Sequence, residues 1–322
     1  MDNEGKMIVM GVDVSSEELV VRSSIDLKVL RFANNSKGIR QFVQICKKQL
    51  VTLVVCEHTG RYEWELLVAL WDSAVPVHCA QPKAVHNFAK ARKANSKSDP
   101  IDAETLVQYG LRMDLELTKR PSDELIALKE LTARREDLNG MLVQEENRLK
   151  APAISKGLKS QICSHIKFLK KELSKNAKAI AVLVDQKDSL KPFIKCLDEV
   201  HGVGLIAAAS IYASIPELGT LTRQTAGAIG GLAPLLRDSG KFSGQRKISG
   251  GRYQARNALY MVALCVIRKK DHVLRAFYLR LKKLGKHTSV ALTAVMRKIL
   301  IYLNTKVKEL RALEAKKLPI PA

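Results

Sequence analysis

Residues 7–33 read MIVMGVDVSSEELVVRSSIDLKVLRFA, and this stretch decides the fold of the first part of the chain. Three runs within it, 7–14, 18–24 and 28–33, are rich in branched and aromatic residues, and short polar segments separate them. Runs of this composition and length are typical of strands joined by turns. The stretch therefore predicts three successive strands that form a meander.

The segments that follow alternate between helix and strand. Residues 51–56 (VTLVVC) form a continuous apolar run, which is typical of a strand buried on both faces of a central sheet. We also predict a short strand at 75–80 and three helices, which span 36–49, about 61–73 and 82–90. The order β-β-β-α-β-α-β-α predicts an α/β domain with a mixed sheet over residues 1–120.

Two long helical patterns come next, at 122–150 and 158–190, with APAISKG at 151–157 as the turn between them. Apolar residues in the second pattern recur at spacings of about four and three, which is a heptad seam; they stand at 162, 166, 169, 173, 177, 180 and 184. The pair predicts a coiled-coil helical hairpin over 121–190 that projects from the core or pairs between subunits. Two ordinary amphipathic helices are the alternative.

Residues 191–322 predict a mainly α-helical, basic domain. The segment LDEVHGVGLIA, 197–207, resembles a helix-hairpin-helix element in which the turn at Gly202 and Gly204 offers backbone N–H groups to a phosphate. Residues 234–252 (PLLRDSGKFSGQRKISGGR) are basic and rich in glycine and serine, so they predict a long functional loop. Three helices are predicted to follow, at about 253–270, 271–284 and 287–313.

The positive charge is concentrated near the end of the chain. The 322 residues carry a formal net charge of +22, yet residues 1–120 hold 17 basic and 15 acidic side chains, whereas residues 191–322 hold 24 and 7. Such asymmetry is typical of proteins that bind nucleic acid, and ribosomal or membrane-surface proteins are the alternatives that share it. The cations predicted to contact phosphate lie in the basic loop and the helix after it: Lys241, Arg246, Lys247, Arg252 and Arg256.

The six cysteines are scattered without a C-x-x-C pair, and several lie in apolar runs. This usage fits a reducing cytosol and argues against a disulfide framework or a zinc knuckle. The chain shows no signal peptide and no apolar run of membrane-spanning length. We therefore expect a cytoplasmic protein without a membrane partner.

Four carboxylates stand where a metal-dependent nuclease needs them. Asp13 and Glu57 end predicted strands, while Asp99 and Asp102 share a helix start, three residues apart and on one face. Each has a local alternative: a turn cap for Asp13, a helix-flanking position for Glu57, and a capping box for the last pair. Together they predict oxygen ligands for Mg²⁺ and phosphodiester chemistry, in which paired ions stabilise the attacking and leaving oxygens.

A recombinase must also conserve the energy of the phosphodiester, through a DNA hydroxyl or a covalent side-chain link. Ser239, in Arg-Asp-Ser-Gly among the cations of the loop, is the candidate nucleophile, with Ser243 and Ser249 as competitors. A turn or phosphate-contacting role is the alternative for Ser239. His58, beside Glu57, is a weaker candidate that is expected to be structural.

Four motifs occur in order along the chain: G-V-D-V-S, C-E-H-T-G, K-S-D-P-I-D-A and G-L-A-P-x4-S-G. The ordered set resembles the DEDD transposases of bacterial insertion sequences, which are relatives of the Piv-type invertases; some members are guided by a bridge RNA. The resemblance implies a RuvC-like (RNase H-like) N-terminal domain, a coiled-coil insertion and a C-terminal domain that carries a serine.

By motif, the resemblance assigns Mg²⁺ to Asp13, Glu57, Asp99 and Asp102, and the link to DNA to Ser239. It implies dimers and tetramers that combine metal and serine groups from different subunits. In guided members, a non-coding RNA pairs with target and donor DNA, so the resemblance makes double-stranded DNA and a bridge RNA the expected partners. It also implies a bacterial protein that is associated with the nucleoid.

Two departures from the family pattern stand out. Residues 248–252 read I-S-G-G-R where the family often has I-x-K-x-G-N, and His58 follows Glu57 where a small residue is usual. Neither change touches a presumed ligand. We therefore expect a Mg²⁺-dependent, serine-using DNA transposase. The rival hypotheses are a Piv-like site-specific invertase, a RuvC-like nuclease that uses water, and a non-catalytic nucleic-acid-binding protein.

Overall fold

The computed structural model describes residues 7–26, 28–92, 99–152, 154–235, 238–239, 242–243 and 247–317. The chain divides into two compact units, an N-terminal unit (Met1–Arg120) and a C-terminal unit (Pro121–Ala322). Within the described ranges, no helix combines the length and the apolar character needed to cross a bilayer.

The N-terminal unit contains one five-stranded mixed sheet. Its strands are β1 (Val9–Val14), β2 (Glu18–Ser23), β3 (Leu30–Ala33), β4 (Leu53–Glu57) and β5 (Val77–Ala80). They lie in the order β3-β2-β1-β4-β5; β1, β2 and β3 form the antiparallel meander, while β4 and β5 run parallel to β1. The predicted α/β domain with a mixed sheet is confirmed.

In the described part of this unit, four helices accompany the sheet: α1 (Ser36–Lys48), α2 (Trp64–Asp72), α3 (Pro82–Ala91) and α4 (Asp99–Arg112). Asn35 starts α1, because its side-chain oxygen accepts hydrogen bonds from the amides of Lys37 and Gly38. Pro82 starts α3 at a position where the missing amide proton costs nothing. The first of these helices was predicted almost to the residue.

Successive residues of β1 and β4 contribute to two separate hydrophobic clusters. Met10, Val12, Val54 and Cys56 pack in one cluster together with residues of α1 and α2. Val9, Leu53 and Val55 pack in another, together with Leu106 and Tyr109 of α4. Because side chains alternate along a strand, the residue that follows Val12 or Cys56 belongs to the α4 face of the sheet.

The C-terminal unit begins with two long helices, α5 (Asp123–Leu149) and α6 (Lys156–Gln186), capped by the side chains of Ser122 and Ser155. They pack antiparallel: Arg135 donates to the carbonyl of Leu173 at 3.1 Å, and Asn176 donates to that of Leu131 at 2.9 Å. Asn176 is buried, whereas Ala177, which was assigned to the seam, is only half-buried. The pair is a helical hairpin, and its role as a coiled coil between subunits stays a prediction.

The rest of the C-terminal unit is a helical bundle around one hydrophobic core. Its helices are α7 (Lys191–Asp198), α8 (Leu205–Ser214), α9 (Arg223–Ile229), α10 (Tyr253–Arg268), α11 (Val273–Lys283) and α12 (Thr288–Lys317). Ile211, Leu259 and Leu303 are among its fully buried side chains. The mainly helical character predicted for residues 191–322 is confirmed.

The segment predicted as one long loop contains short strands. Pro234–Leu235 (β6) pairs with Lys247–Ile248 (β9), and Asp238–Ser239 (β7) pairs with Phe242–Ser243 (β8), both antiparallel. The simple loop prediction was therefore incomplete, because backbone pairing between two-residue segments leaves no apolar periodicity in the sequence.

Candidate active site

Asp13 and Glu57 lie side by side at the carboxyl-terminal ends of two adjacent strands, an end of the sheet that is called its carboxyl edge. In the parallel pairing of β1 with β4, Val12 is opposite Cys56, and Asp13 and Glu57 are the next residues of the two strands. Neighbouring strands are about 4.8 Å apart. Both carboxylates are half-buried and belong to the α4 face. The register therefore brings two of the four predicted ligands together at the carboxyl ends of the strands.

Helix α4 crosses the same face in close contact with β1. A Cβ atom added to Gly11 would lie 2.2 Å from the carbonyl oxygen of Ala103 and 2.7 Å from the amide nitrogen of Val107. A Cβ on Gly110 would meet the side chains of Val9 and Val55. The helix thus runs antiparallel to β1, because its later residues lie over the earlier part of the strand.

This direction carries the start of α4 toward the two strand ends. Asp99 is the first residue of α4, and Asp102 directly precedes Ala103, which touches Gly11. From Ala103 back to Asp99 the helix axis advances about 6 Å, and from Gly11 to Asp13 the strand advances about 6.6 Å. The beginning of the helix and the end of the strand therefore lie at the same edge of the sheet.

The donor set at this edge consists of carboxylate oxygens. Asp13, Glu57 and Asp102 are all half-buried and each has a polar partner. Asp99 is located by its backbone at the first position of α4. Hard oxygen donors of this kind suit Mg²⁺ or a similar divalent ion, and they lack the nitrogen and sulfur ligands that zinc prefers. The residues present therefore fit a hard divalent cation.

Glu63 organises the loop that follows Glu57, and the sequence did not reveal this role. One carboxylate oxygen of the buried Glu63 accepts hydrogen bonds from the amide of Thr59 (3.2 Å), its hydroxyl (3.0 Å) and the amide of Arg61 (3.0 Å). The other lies 3.0 Å from Nδ1 of His58. Burial alone would raise the pKa of Glu63, but these hydrogen bonds lower it.

His58 and two cysteines continue this network on the far side of the sheet from α4. Cys56 and Cys79 are opposite each other on β4 and β5, and both are buried. The Cys56 thiol donates toward the Cys79 sulfur, and this bond, together with one to His58, lowers the pKa of Cys79. Hydrogen bonding to Cys79 raises the pKa of His58 to about 9. A structural role was predicted for His58 alone, not for this cluster.

Ser239 lies in β7, and its Cα partner across the hairpin is Phe242. The structure describes the backbone of this serine and of Ser243, while Lys241 and Arg246 lie outside the described residues. Lys247, in β9, is exposed. The carboxylates belong to the N-terminal unit and the serine hairpin to the C-terminal unit.

Glycines allow close contact between the two ends of the segment that carries Ser239, residues 231–251. A Cβ on Gly251, whose φ is +69°, would lie 2.1 Å from the amide nitrogen of Gly231, and a Cβ on Gly231 would lie 2.3 Å from the carbonyl oxygen of Gly250. The two ends of the segment therefore cross in direct backbone contact. This contact gives a physical reason for Gly251, and a φ of +70° gives one for Gly250, in the I-S-G-G-R stretch where the chain departs from the family pattern.

Arg252 and Arg256 make hydrogen bonds that stabilise the end of this segment. Arg252 makes a bidentate ion pair with Glu217, at 2.5 and 2.6 Å, and also donates to the carbonyl of Ser214 at 2.7 Å. Arg256 donates to the carbonyl of Gly250 at 2.8 Å. Both arginines thus have a structural role that the sequence did not reveal, and their contact with phosphate stays a prediction.

The turn between α7 and α8 contains Gly202 and Gly204. Gly202 has a φ of +87°, and a Cβ there would meet Val266 at 2.8 Å; Gly204 is the N-cap residue of α8. Beside this turn is a cleft of about 680 Å³ that His201 helps to line. Its other lining residues include cations and a half-exposed aromatic ring: Arg223, Lys298, Lys306 and Tyr302. Cations and rings of this kind suit a nucleic-acid backbone and its bases.

Two family models match successive parts of the chain. A model of DEDD transposases of the IS110 type, described as "Transposase", matches residues 10–152, and one described as "Transposase IS116/IS110/IS902 family" matches residues 194–279. The chain belongs to the IS110 family of transposases. This IS110-type protein is therefore a DNA transposase or recombinase enzyme, and the predicted RuvC-like N-terminal domain with a helical C-terminal part is confirmed. Nucleases of the DEDD and RuvC-like class generally use divalent metal ions.

Curated relatives of this IS110-type transposase are invertases. The pilin gene-inverting protein of Moraxella bovis is 27% identical over 278 residues, which cover 84% of this chain and 85% of the relative. The pilin gene-inverting protein of Moraxella lacunata matches with the same identity and coverage.

Solved structures of Thermus thermophilus RuvC also match, one of them in complex with a Holliday junction substrate. They are 13% identical to this chain and cover 35% of it and 100% of the RuvC chain, with TM-scores of 0.28 and 0.27.

Proposed function

We propose that this transposase cuts and rejoins the DNA strands of a mobile element with divalent ions, Mg²⁺ in the cell, held by Asp13, Glu57, Asp99 and Asp102, and with Ser239 as the nucleophile. The main support for the proposal is that the four acidic residues lie at the same end of the sheet. Two carboxylates end adjacent parallel strands there, and α4, which begins with the other two, packs over the same face. Half-buried carboxylates gathered in this way repel one another unless cations compensate them.

Bound divalent ions would supply positive charge to the attacking and leaving oxygens of the scissile phosphate. The chain's own contribution is orientation. The register of β1 with β4 fixes the spacing of Asp13 and Glu57, and the contact of Gly11 with Ala103 fixes Asp102 relative to them. Glu63 holds the loop after Glu57 through three hydrogen bonds, so the end of β4 is rigid. Rigid placement of this kind reduces the entropy that the reaction must lose.

The serine step conserves the phosphodiester. The Oγ atom of Ser239 attacks phosphorus and loses its proton to a base, and one bridging P–O bond of the DNA breaks. The departing oxygen takes up a proton and becomes a free strand end. A hydroxyl of a second strand then attacks the phosphoserine, which restores a DNA phosphodiester and returns the proton to Ser239. No net hydrolysis occurs, so the joining step needs no nucleotide cofactor.

DNA and a bridge RNA are the proposed partners. The excess of 24 basic over 7 acidic side chains in residues 191–322 supports binding of a polyanion. The proposed contacts comprise the α7–α8 turn and the basic segment: Gly202, Gly204, Lys241, Arg246, Lys247, Arg252 and Arg256. Because the internal bonds of Arg252 and Arg256 already use their guanidinium groups, we expect Lys247 to matter more for affinity.

We further propose that catalysis occurs in a dimer or tetramer, in which the serine of one chain meets the carboxylates of another. The hairpin of α5 and α6 is the proposed coiled-coil contact. Exposed apolar side chains on it support this role, among them Val143, Phe168 and Val182. Sedimentation of the full chain with and without nucleic acid tests the assembly, and a monomer in every condition contradicts it.

The nucleophile is tested with Ser239→Ala and with Ser249→Ala as a matched control in the same segment. Wild-type protein incubated with Mg²⁺, RNA and end-labelled cognate DNA is expected to form a covalent adduct that survives denaturing electrophoresis. Ser249→Ala is expected to keep the adduct and Ser239→Ala to lose both adduct and strand exchange. Cleavage that persists in Ser239→Ala without an adduct supports a water-using nuclease instead, and loss of the adduct only in Ser243→Ala moves the role to that serine.

The ion and the RNA need separate tests. Asp102→Asn is expected to abolish cleavage while leaving DNA binding in place, and unchanged cleavage contradicts the metal assignment. RNA that co-purifies with the chain, and loss of recombination after ribonuclease treatment, support guidance. Recombination by RNA-free protein contradicts it.

Site-specific inversion is the second candidate function, favoured by the similarity to the pilin gene-inverting proteins. The same residues would carry the chemistry, but the products differ. A plasmid with two recombination sites in inverted orientation separates the two candidates, because an invertase flips the intervening segment whereas a transposase excises the element and inserts it elsewhere.

A further inference from the structure

We propose that His58, Glu63, Cys79 and Cys56 form a second metal site, for a zinc-class ion, on the face of the sheet opposite to the four carboxylates. Ligand atoms of His58, Glu63 and Cys79 all lie within 4.8 Å of one another, and within the described ranges they are the one such group of three. Cys56 is the β-sheet partner of Cys79, so its sulfur stands beside this group.

The two sites are separated by the alternation of β4. Cys56, Glu57 and His58 are consecutive residues at the end of this strand. Cys56 packs with α1 and α2, as Cys79 does, whereas Glu57 belongs to the α4 face. An ion among the cysteines would therefore lie behind Glu57 and not among the carboxylates.

The two sites also differ in the ion that their ligands prefer. Thiolate and imidazole ligands select zinc and related borderline ions over Mg²⁺, and four ligands of mixed sulfur, nitrogen and oxygen type suit tetrahedral coordination. One oxygen of Glu63 is fixed by three hydrogen bonds from Thr59 and Arg61, so the other oxygen, 3.0 Å from Nδ1 of His58, is the proposed ligand of the ion.

The exposure of the ligands indicates how an ion would reach this site and what its binding would do. Cys79 and Glu63 are 7% and 6% exposed, while the side chain of His58 is 44% exposed, so an ion would enter past His58. Once bound, the ion would join β4, β5 and the loop after Glu57. We therefore expect it to stabilise the N-terminal unit and to rigidify the strand end that carries Glu57.

The test uses the full chain, reduced and freed of metal, and titrated with Co²⁺ in the presence of excess Mg²⁺. Cobalt bound by thiolate gives a sulfur-to-metal charge-transfer band in the near ultraviolet, and tetrahedral cobalt gives strong visible bands. The carboxylate site, which has only oxygen donors, gives neither. We expect one cobalt per chain with both features, displaced by Zn²⁺ and not by Mg²⁺, and a higher melting temperature with Zn²⁺.

Matched variants locate the site. Cys79→Ser is expected to weaken the charge-transfer band, the double variant Cys56→Ser/Cys79→Ser to remove it, and His58→Ala to weaken cobalt binding by at least about tenfold. Cys46→Ser, a buried cysteine of the same unit outside the cluster, and Asp102→Asn are expected to keep it. If Cys79→Ser fails to fold, His58→Ala and Cys56→Ser carry the test.

Three results would overturn the proposal. They are wild-type protein without a sulfur band, a band that keeps its full intensity in both Cys79→Ser and the double variant Cys56→Ser/Cys79→Ser, and a band lost in Cys46→Ser. Because Asp102→Asn is expected to bind cobalt normally, failure of the carboxylate site and failure of this site are distinguishable.

Discussion

Gly11→Ala tests the contact that fixes α4 over the carboxylates. The new methyl group would lie 2.2 Å from the carbonyl oxygen of Ala103, whereas ordinary contact begins at 3.4 Å. Both sides of this contact are backbone, so rotation of a side chain cannot relieve it. The helix must move away from β1 by about 1 Å.

Two effects of this movement have different sizes. Overpacking of a tight interface costs about 1–3 kcal/mol of unfolding free energy. A shift of about 1 Å between Asp102 and the pair Asp13 and Glu57 is expected to reduce the rate of metal-dependent strand cleavage by about a hundredfold. The loss of rate should exceed what the change in folded fraction explains, because a protein with several kcal/mol of stability stays folded after such a change.

The assay combines urea unfolding, calorimetric titration with Mn²⁺ and cleavage of cognate DNA. Gly110→Ala is the matched control, since its Cβ would meet the side chains of Val9 and Val55 at the other end of α4. It is expected to lose stability but to keep more of its cleavage rate than Gly11→Ala. Gly140→Ala, in α5 with open space around it, is expected to gain up to about 1 kcal/mol. Normal Mn²⁺ affinity and cleavage in Gly11→Ala would show that the position of α4 over β1 does not set the geometry of the carboxylates.

Three further predictions concern the C-terminal unit. Burial opposes ionisation of Glu217, yet the bond from Arg252 lowers its pKa. Its contribution to stability is therefore present above the unfolded pKa and is lost as the pH falls. Glu217→Gln should cost about 1 kcal/mol of unfolding free energy at neutral pH and make the melting temperature depend less on pH in thermal melts from pH 3 to 7. Ile180→Ala should cost about 2–5 kcal/mol, because this side chain is fully buried, while exposed Val182→Ala on the same helix should change unfolding by less than about 0.5 kcal/mol. Lys298→Ala should weaken DNA binding equally for all sequences and reduce the salt slope by about 1, and an unchanged slope would exclude a phosphate contact.

The sequence identified the strand ends but not their pairing. Apolar runs ending in Asp13 and Glu57 predicted two strands, since burial needs such runs. The register that opposes Val12 to Cys56 depends on long-range backbone pairing, which one sequence does not specify. The direction of α4 is likewise fixed by contacts at Gly11 and Gly110, where the absence of a side chain gives no periodic pattern.

Polar groups in buried positions account for the residues that sequence reasoning missed. The heptad seam was assigned to Ala177 because Asn176 is polar, yet Asn176 is the buried residue and its amide donates to Leu131. Glu63 was also missed, because its partners are the amides of Thr59 and Arg61, the Thr59 hydroxyl and His58, all in a loop where Gly60 and Arg61 have positive φ. Hydrogen bonds of this kind depend on chain geometry and leave no compositional signal.

In the proposed mechanism, the carboxyl-terminal ends of β1 and β4 and the start of α4 hold the divalent ions for strand cleavage. The most direct measurement is a crystal structure of the chain with cognate nucleic acid and Mn²⁺, with anomalous scattering used to locate the ions. We predict anomalous density about 2.1 Å from carboxylate oxygens of Asp13, Glu57, Asp99 and Asp102, and its loss in Asp102→Asn. Density elsewhere in the chain, with none at these four residues, would contradict the account.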